Sequence, residues 1–144
     1  MATFTTTAGA EALVASLNEN EAFERETRWF DGSVLLESSG GQCWLKVYRG
    51  KVIDHLPFMP PLGYTFKVSG PDEAWAELVA GRRLFADLVT PGQRYFADDP
   101  ELATLGVMTS DLRVEGNVME ANRLTEAVYQ LAETYARTAA TRSS

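Results

Sequence analysis

Three strand-like segments separated by two tight turns constrain the fold of this chain more than any other feature. The segments are Ser33–Glu37, Gln42–Arg49 and Lys51–Leu56. Ser-Ser-Gly-Gly at 38–41 has the composition of a hairpin loop, and Arg49-Gly50 forms the second turn. Tight turns join antiparallel strands, because parallel neighbours need a long crossover connection. We therefore expect an antiparallel meander.

The middle strand alternates regularly, which assigns its side chains to two faces. The face that we assign to the core carries Cys43, Leu45 and Val47. Trp44 and Tyr48 fall on the opposite face. Large aromatic side chains exposed there would indicate a partner surface, for a homodimer or an enzyme partner, unless the segment Thr90–Met108 covers them.

A strand followed by a short helix occupies Tyr64–Leu88. The strand alternates apolar and polar side chains, and its apolar ones are Tyr64, Phe66 and Val68. Pro71 suits the first helical position, where its missing N–H has no partner, and Gly81 suits the helix end, because glycine adopts left-handed backbone at little cost. The apolar face of the helix consists of Trp75, Leu78 and Val79. A second apolar run follows at Leu84, Phe85, Leu88 and Val89.

Further elements are predicted on both sides of these units. An early helix has Leu13, Val14 and Leu17 on its apolar face. Asp111–Glu115 is predicted as a fifth strand with Leu112 and Val114 facing inward, and Asn117 turns the chain into one long helix. The apolar positions of that helix are Met119, Leu124, Val128, Leu131 and Tyr135. Asp98-Asp99-Pro100-Glu101 predicts a helix start with Asp99 as N-cap, in preference to a pair of catalytic carboxylates.

This order of elements predicts an α+β fold, with a five-stranded antiparallel sheet and helices packed on one face. Three prolines, at 57, 60 and 61, exclude regular structure between the third and fourth strands. We expect a single domain over residues 1–144, with loose ends at 1–7 and 138–144.

Four segments, taken in order, resemble the sterol carrier protein type 2 (SCP2) domain family. They are QCWLKVYRGKV, FKVSGPDEAWAELVAG, DLRVEG and NVMEANRLTEAVYQL. The resemblance spans about Phe30 to Leu131 and implies a sheet covered by helices, enclosing an apolar tunnel for sterols, fatty acids or acyl-CoA. It also implies a module or partner of enzymes acting on hydrophobic compounds, and it brings no shared catalytic residue. Thr90–Met108 and the proline-rich PFMPPLG depart from the family pattern and are candidates for the cavity mouth.

Charge and cysteine content exclude several classes of function. The net charge of -7 opposes binding to nucleic acid or to an anionic membrane surface. Cys43 is the only cysteine, so neither an intrachain disulfide nor a zinc–cysteine site can form. The N-terminal segment lacks the pattern of a secretory signal, and no window is long and apolar enough to span a bilayer. We expect a cytoplasmic location.

His55 is the only histidine, so every histidine-dependent mechanism would have to use it. Its neighbour Asp54 points to the opposite face of a strand, which excludes a dyad between the two. One histidine also argues against a transition-metal site, and no G-x-S-x-G elbow exposes a serine. His55 is therefore interpreted as an edge or rim histidine, with an acid–base group at the pocket mouth as the alternative.

Arg82 and Arg83 follow the short helix and carry two interpretations. Cations are favourable at a helix C-terminus on dipole grounds alone. Their functional interpretation is an anion clamp for a carboxylate or a CoA phosphate.

The sequence predicts a binding or transfer protein for an apolar small molecule or lipid, held between sheet and helices. No cofactor and no metal are expected. The candidate ligand-binding residues, which a filled core would explain equally well, are Phe58, Phe66, Trp75, Leu78, Val79, Phe85, Leu88, Met108, Met119 and Leu124, together with Arg82 and Arg83. Two alternatives stay open. One is a small enzyme using His55, Asp54 or a tyrosine as acid–base residue, and the other is an accessory subunit of an enzyme.

Overall fold

The computed structural model describes residues 2–81, 84–89 and 112–143. Its helices, which follow a 3-10 turn at Thr3–Thr5, are α1 (Thr7–Glu19), α2 (Glu21–Thr27), α3 (Asp72–Ala80), α4 (Phe85–Val89), α5 (Val118–Arg123) and α6 (Thr125–Ser143). Its strands are β1 (Asp31–Ser38), β2 (Gly41–Tyr48), β3 (Lys51–Leu56), β4 (Phe66–Ser69) and β5 (Arg113–Gly116). The predicted loop and helix at Thr90–Met108 lie outside the described residues.

The strands form one sheet in the order β3-β2-β1-β4-β5. The predicted meander is confirmed, since β1 pairs with β2 and β2 with β3 in antiparallel fashion. The expectation of a wholly antiparallel sheet was wrong, because β4 runs parallel to β1, with Val34 opposite Phe66. β3 and β4 point the same way, so the chain between them crosses back over the sheet instead of turning.

This crossover, residues 57–65, covers the part of the outer sheet face around Trp44. The indole Nε1–H of Trp44 donates to the carbonyl of Gly63 at 3.1 Å, and the Met59 N–H donates to Oε1 of Gln42 at 3.2 Å. Trp44 is consequently 8% exposed. The proline-rich crossover thus occupies the position that the sequence analysis assigned to a partner or to Thr90–Met108, while Tyr48 stays partly exposed.

The inner face of the sheet carries the hydrophobic core and packs against the helices. Its side chains alternate with the outer ones along every strand and include Val34, Leu36, Cys43, Leu45, Val47, Phe66 and Val68. The helices cover this layer with Leu13 and Leu17 of α1, Trp75 of α3 and Leu131 of α6. The predicted α+β arrangement with helices on one face is therefore confirmed.

Helix α3 is bounded largely as its sequence predicts. Gly81 ends it with left-handed backbone at φ 75°. Pro71 precedes the first helical residue instead of occupying that position. Ser39, in the β1–β2 hairpin, caps the helix from outside, since its hydroxyl accepts from the Asp72 N–H at 3.1 Å. A residue distant in sequence thereby satisfies one of the free N–H groups of the first turn.

The C-terminal helical region is divided in two, whereas the sequence indicated one long helix. It is interrupted at Leu124, which separates α5 from α6. Asn117 caps α5 by accepting from the Glu120 N–H at 3.0 Å. On the two sides of the interruption the predicted apolar positions differ in burial: Met119 is 84% exposed, while Leu124, Val128, Leu131 and Tyr135 are buried.

Within the described residues, both segments that were expected to be loose have buried side chains, although other residues in them are exposed. Phe4 is 1% exposed, and α6 extends to Ser143 with Ala139 buried. The Thr138 hydroxyl donates to Oγ of Ser16 at 3.0 Å, which joins α6 to α1. Compositional bias toward Thr and Ser suggested frayed ends, but Ala2 and Phe4 are buried at one end and Ala139 at the other.

Phe4, Trp75 and Tyr135 form a three-ring cluster that joins the N-terminal segment, α3 and α6. All three pairs meet edge to face, with centroids 4.9 to 5.5 Å apart. The Thr3 N–H donates to the Tyr135 hydroxyl at 3.1 Å, and the Trp75 indole N–H donates to the Glu37 carbonyl at 3.0 Å. Every polar ring atom of the cluster therefore has a partner despite burial.

Phe4→Ala is expected to lower the free energy of unfolding by about 3–5 kcal/mol, because it removes one ring of the cluster and leaves a cavity. Urea denaturation of the variant and the wild type measures the change. Leu62→Ala is the control, since Leu62 is 95% exposed and its truncation should alter stability by less than about 0.5 kcal/mol. Equal effects of the two substitutions would show that the N-terminal segment adds nothing to the core.

Candidate ligand-binding groove

An apolar groove of about 580 Å³ runs along the outside of the helical layer, between α3, α4 and α6. Its lining residues are Leu78, Val79, Gly81, Leu84, Phe85, Tyr129, Glu133, Ala136, Arg137 and Ala140. Glu133 and Arg137 are the charged residues in this set, and they lie one helical turn apart on α6. The groove therefore offers an apolar trough with a polar margin on one side.

Local sequence determines how the groove is built. The left-handed backbone of Gly81 ends α3 and lets the chain turn toward α4. Phe85 and Leu88 anchor α4 in the core, and the Leu112 N–H donates to the Leu88 carbonyl at 3.0 Å. Phe85 also meets Tyr129 of α6 edge to face at 5.7 Å. These contacts leave a space between the helices that small side chains, Ala136 and Ala140, do not fill.

The space between the sheet and the helices, where the sequence placed the ligand, is closely packed. A cavity of only about 10 Å³ lies there, no larger than the space that one water molecule needs. Its lining residues are Leu36, Val68, Trp75, Phe85, Val128, Leu131, Ala132 and Tyr135. The open apolar volume of the described part of the chain thus lies outside this core, in the groove.

The predicted ligand-binding residues that the structure describes separate into three groups. Leu78, Val79 and Phe85 line the groove. The residues that are buried in the core and do not line the groove are Phe66, Trp75, Leu88 and Leu124. Phe58 and Met119 are exposed and line neither space. Arg82, Arg83 and Met108 lie outside the described residues, and their binding role stays a prediction.

The residues of α6 that line the groove were missed by the sequence analysis. The apolar positions chosen there were those facing the sheet, beginning with Leu124 and Val128. Tyr129, Glu133, Ala136 and Ala140 follow a second face with the same helical spacing. That stripe of small residues beside a tyrosine was the available signal, but only the packing of α3 and α4 gives it a role.

His55 lies on the edge strand β3, opposite Leu45 of β2. Its backbone N–H donates to the Asp54 carboxylate at 2.9 Å, so this hydrogen bond uses the Asp54 side chain and leaves the imidazole out. A bulge between the pairs Lys46–Asp54 and Val47–Val52 places Ile53 outside the regular ladder. None of the described residues that line the groove comes from β3. The geometry therefore does not bring His55 to the groove.

A second groove, of about 650 Å³, lies between α1 and α6 and is polar. Asn20 donates to Gln130 Oε1 at 3.2 Å and to Thr134 Oγ1 at 2.9 Å across it. These side chains serve to join the helices. Within residues 2–81, 84–89 and 112–143, no group of three or more His, Cys, Asp or Glu side chains is placed to hold a metal ion.

Cys43 is fully buried on the inner face of the sheet, and desolvation raises the pKa of its thiol from 9.0 to about 12. The folded state favours the protonated thiol. The contribution of this preference to the free energy of unfolding is therefore fully present below pH 9 and is lost as the pH rises toward 12. A shift of this size corresponds to roughly 4 kcal/mol over the whole interval. Burial likewise raises the pKa of Tyr135.

Above pH 9 the wild type is expected to lose stability faster than Cys43→Ala, by about 1 kcal/mol per pH unit, because only the wild type carries this thiol. Urea midpoints of both proteins from about pH 7 to about pH 11 measure the difference. The tyrosines titrate in both proteins, so their effect cancels in the comparison. Parallel stability curves over this range would contradict the burial of a protonated thiol.

Comparison with solved structures relates the whole chain to known folds. A crystal structure of sterol carrier protein 2 is 17% identical, with a TM-score of 0.61 over 92% of this chain and 96% of that one. A conserved hypothetical protein of Thermus thermophilus, described as possibly a sterol carrier protein, gives 17% identity and a TM-score of 0.59, covering 93% and 88% of the two chains. A structure of UbiJ-SCP2 ubiquinone synthesis protein is 18% identical, with a TM-score of 0.50 over 90% of this chain and 94% of that one.

No protein-family model matches the sequence, and no curated protein sequence matches it. The chain has the SCP2-like fold, as the four sequence segments had indicated. Among the helices of the described residues, none combines the length and the apolar character required to cross a membrane.

Proposed function

We propose that the chain binds and transfers an apolar small molecule or lipid, of the sterol, fatty acid or acyl-CoA class, in the groove between α3, α4 and α6. The observation that carries the proposal is the groove itself, about 580 Å³ in volume and lined mainly by aliphatic and aromatic side chains. Its volume falls within the range of small-molecule sites. The proposed ligand position is thus on the outer side of the helical layer, whereas the sequence predicted one between the sheet and the helices.

Burial of apolar surface would supply most of the affinity. A ligand that buries about 300 Å² of apolar surface gains roughly 7 kcal/mol, before the costs of association are subtracted. Glu133 and Arg137 lie at the groove and provide a place for a polar end group. Apolar walls with a few polar groups at one side suit an amphipathic ligand.

The structural neighbours support the same class of ligand. The protein that gives the TM-score of 0.61 is sterol carrier protein 2. At 17% identity this likeness concerns the fold, so the cargo of the present chain is proposed from its own groove. We also propose a cytoplasmic location, as expected from the sequence.

An accessory role is a second candidate, supported by the exposed crossover. Phe58, Met59 and Leu62 are 53%, 46% and 95% exposed within one proline-rich segment. Apolar side chains grouped on a surface favour contact with another protein, here an enzyme or a second copy of this chain. Sedimentation at high concentration detects a homodimer, and native mass spectrometry detects a complex with another protein. A protein that stays monomeric and shows no bound partner in either measurement would refute the accessory role.

Ala140→Phe is expected to weaken the binding of oleate, cholesterol or palmitoyl-CoA at least about tenfold, because the new ring would occupy the groove that those ligands need. Isothermal titration calorimetry against each ligand measures the change. Ala140 is exposed at the rim, so the substitution should leave folding intact.

Ala76→Phe provides a matched control, because Ala76 is also an exposed helical alanine but does not line the groove. Its affinities should equal those of the wild type. A wild-type protein that binds none of the three ligands would refute the proposed function. Equal binding by the wild type and both variants would place the site elsewhere.

A further inference from the structure

Two apolar spaces lie on either side of one side chain, that of Phe85. The groove of about 580 Å³ lies on its outer side, and the cavity of about 10 Å³ lies on its inner side. Among the described residues, Phe85 alone lines both spaces. The phenyl ring therefore forms the partition between the groove and the interior of the fold.

The helices on both sides of this partition present different faces to the two spaces. On α3, Trp75 borders the inner cavity and Leu78 borders the groove. On α6, Ala132 borders the cavity and Ala136 borders the groove, one turn further along. These neighbours belong to two longer helices that are fixed by the core, whereas Phe85 begins the five-residue helix α4. Removal of its ring would connect the spaces without breaking α3 or α6.

The ring is held in this position by aromatic contact. Phe85 meets Tyr129 at a centroid distance of 5.7 Å and an interplanar angle of 71°. Its side chain is 6% exposed, so Phe85 forms part of the groove wall and is otherwise buried. A linear alkyl chain that entered the groove toward the core would meet this residue.

We propose that Phe85 determines specificity by setting the maximum length of the alkyl chain that the groove accepts. This inference rests on the proposed function, since it concerns a ligand in the same groove. The inner cavity is lined by apolar side chains apart from Trp75 and Tyr135. The polar atoms of these two already have hydrogen-bond partners in the Glu37 carbonyl and the Thr3 N–H. Space opened beyond the ring would therefore be apolar and would favour a longer tail.

The test measures affinity for a series of saturated fatty acids of increasing length in the wild type and in Phe85→Ala. While added methylenes enter apolar space, the Kd should fall about fourfold for each one. In the wild type this gain is expected to stop at a limiting length. In Phe85→Ala the gain should continue for several methylenes beyond that length.

Trp75 provides an independent measure of depth, because it borders the inner cavity and not the groove. In a Trp29→Phe, Trp44→Phe background, Trp75 is the only tryptophan. A fatty acid brominated at its tail should quench this fluorescence in Phe85→Ala and leave it unchanged when Phe85 is present. Quenching of equal extent with and without the ring would overturn the proposal.

Leu88→Ala and a double variant control for general loosening of the fold. Leu88 is buried in the same helix but lines neither space, so its truncation should destabilise the protein without changing the limiting length. Phe85→Ala combined with Ala132→Leu refills the inner cavity and should restore the wild-type limit. Should Phe85→Ala fail to fold, Phe85→Leu must extend the limit by a smaller amount, and no extension would count against the proposal.

The outcomes separate this inference from the proposed function. A wild type that binds no member of the series refutes the proposed function, and with it the inference. A wild type that binds the series and shares its limiting length with Phe85→Ala refutes the inference alone. A limit that Leu88→Ala extends equally would assign the effect to α4 as a whole and would also refute the role of the ring.

Discussion

The edge-to-face contacts among Phe4, Trp75 and Tyr135 hold together parts of the chain that are far apart in sequence. They join the N-terminal segment to α3 and to α6 across the inner face of the sheet. The indole N–H of Trp75 also reaches the Glu37 carbonyl, so the cluster is attached to the sheet as well as to the helices. The distance between α3 and α6 depends on these rings, and the groove lies between those two helices together with α4.

Much of the fold could be predicted because local rules and packing agree. The alternation of β2, the turn at Arg49-Gly50 and the left-handed Gly81 all lead to the observed elements. The parallel pairing of β1 with β4 was not accessible in this way, because no pattern within the proline-rich crossover specifies which strand it reaches. Likewise, the interruption at Leu124 was not accessible from the pattern, since the apolar spacing continues across it.

The candidate site was less predictable than the fold for a physical reason. Helical spacing identifies apolar residues, but the same spacing serves a filled core and a binding surface. Trp75 and Leu78 lie one turn apart on α3, yet one borders a nearly filled interior and the other borders an open groove. The difference arises from side chains on α6, where Ala132 packs inside and Ala136 leaves room outside. Such a distinction requires the relative positions of three helices.

The order of strands and helices along the chain also has a consequence for synthesis on the ribosome. By Ser69 the chain has supplied four strands of the sheet and, with them, an apolar inner face. Part of its cover, α6, begins only at Thr125, more than fifty residues later. A sheet that formed before α6 was translated would have this face covered only in part, by helices already made, such as α1 with its core residues Leu13 and Leu17. The early position of α1 in the chain would then give the strands a surface to pack on before the C-terminal helix is made.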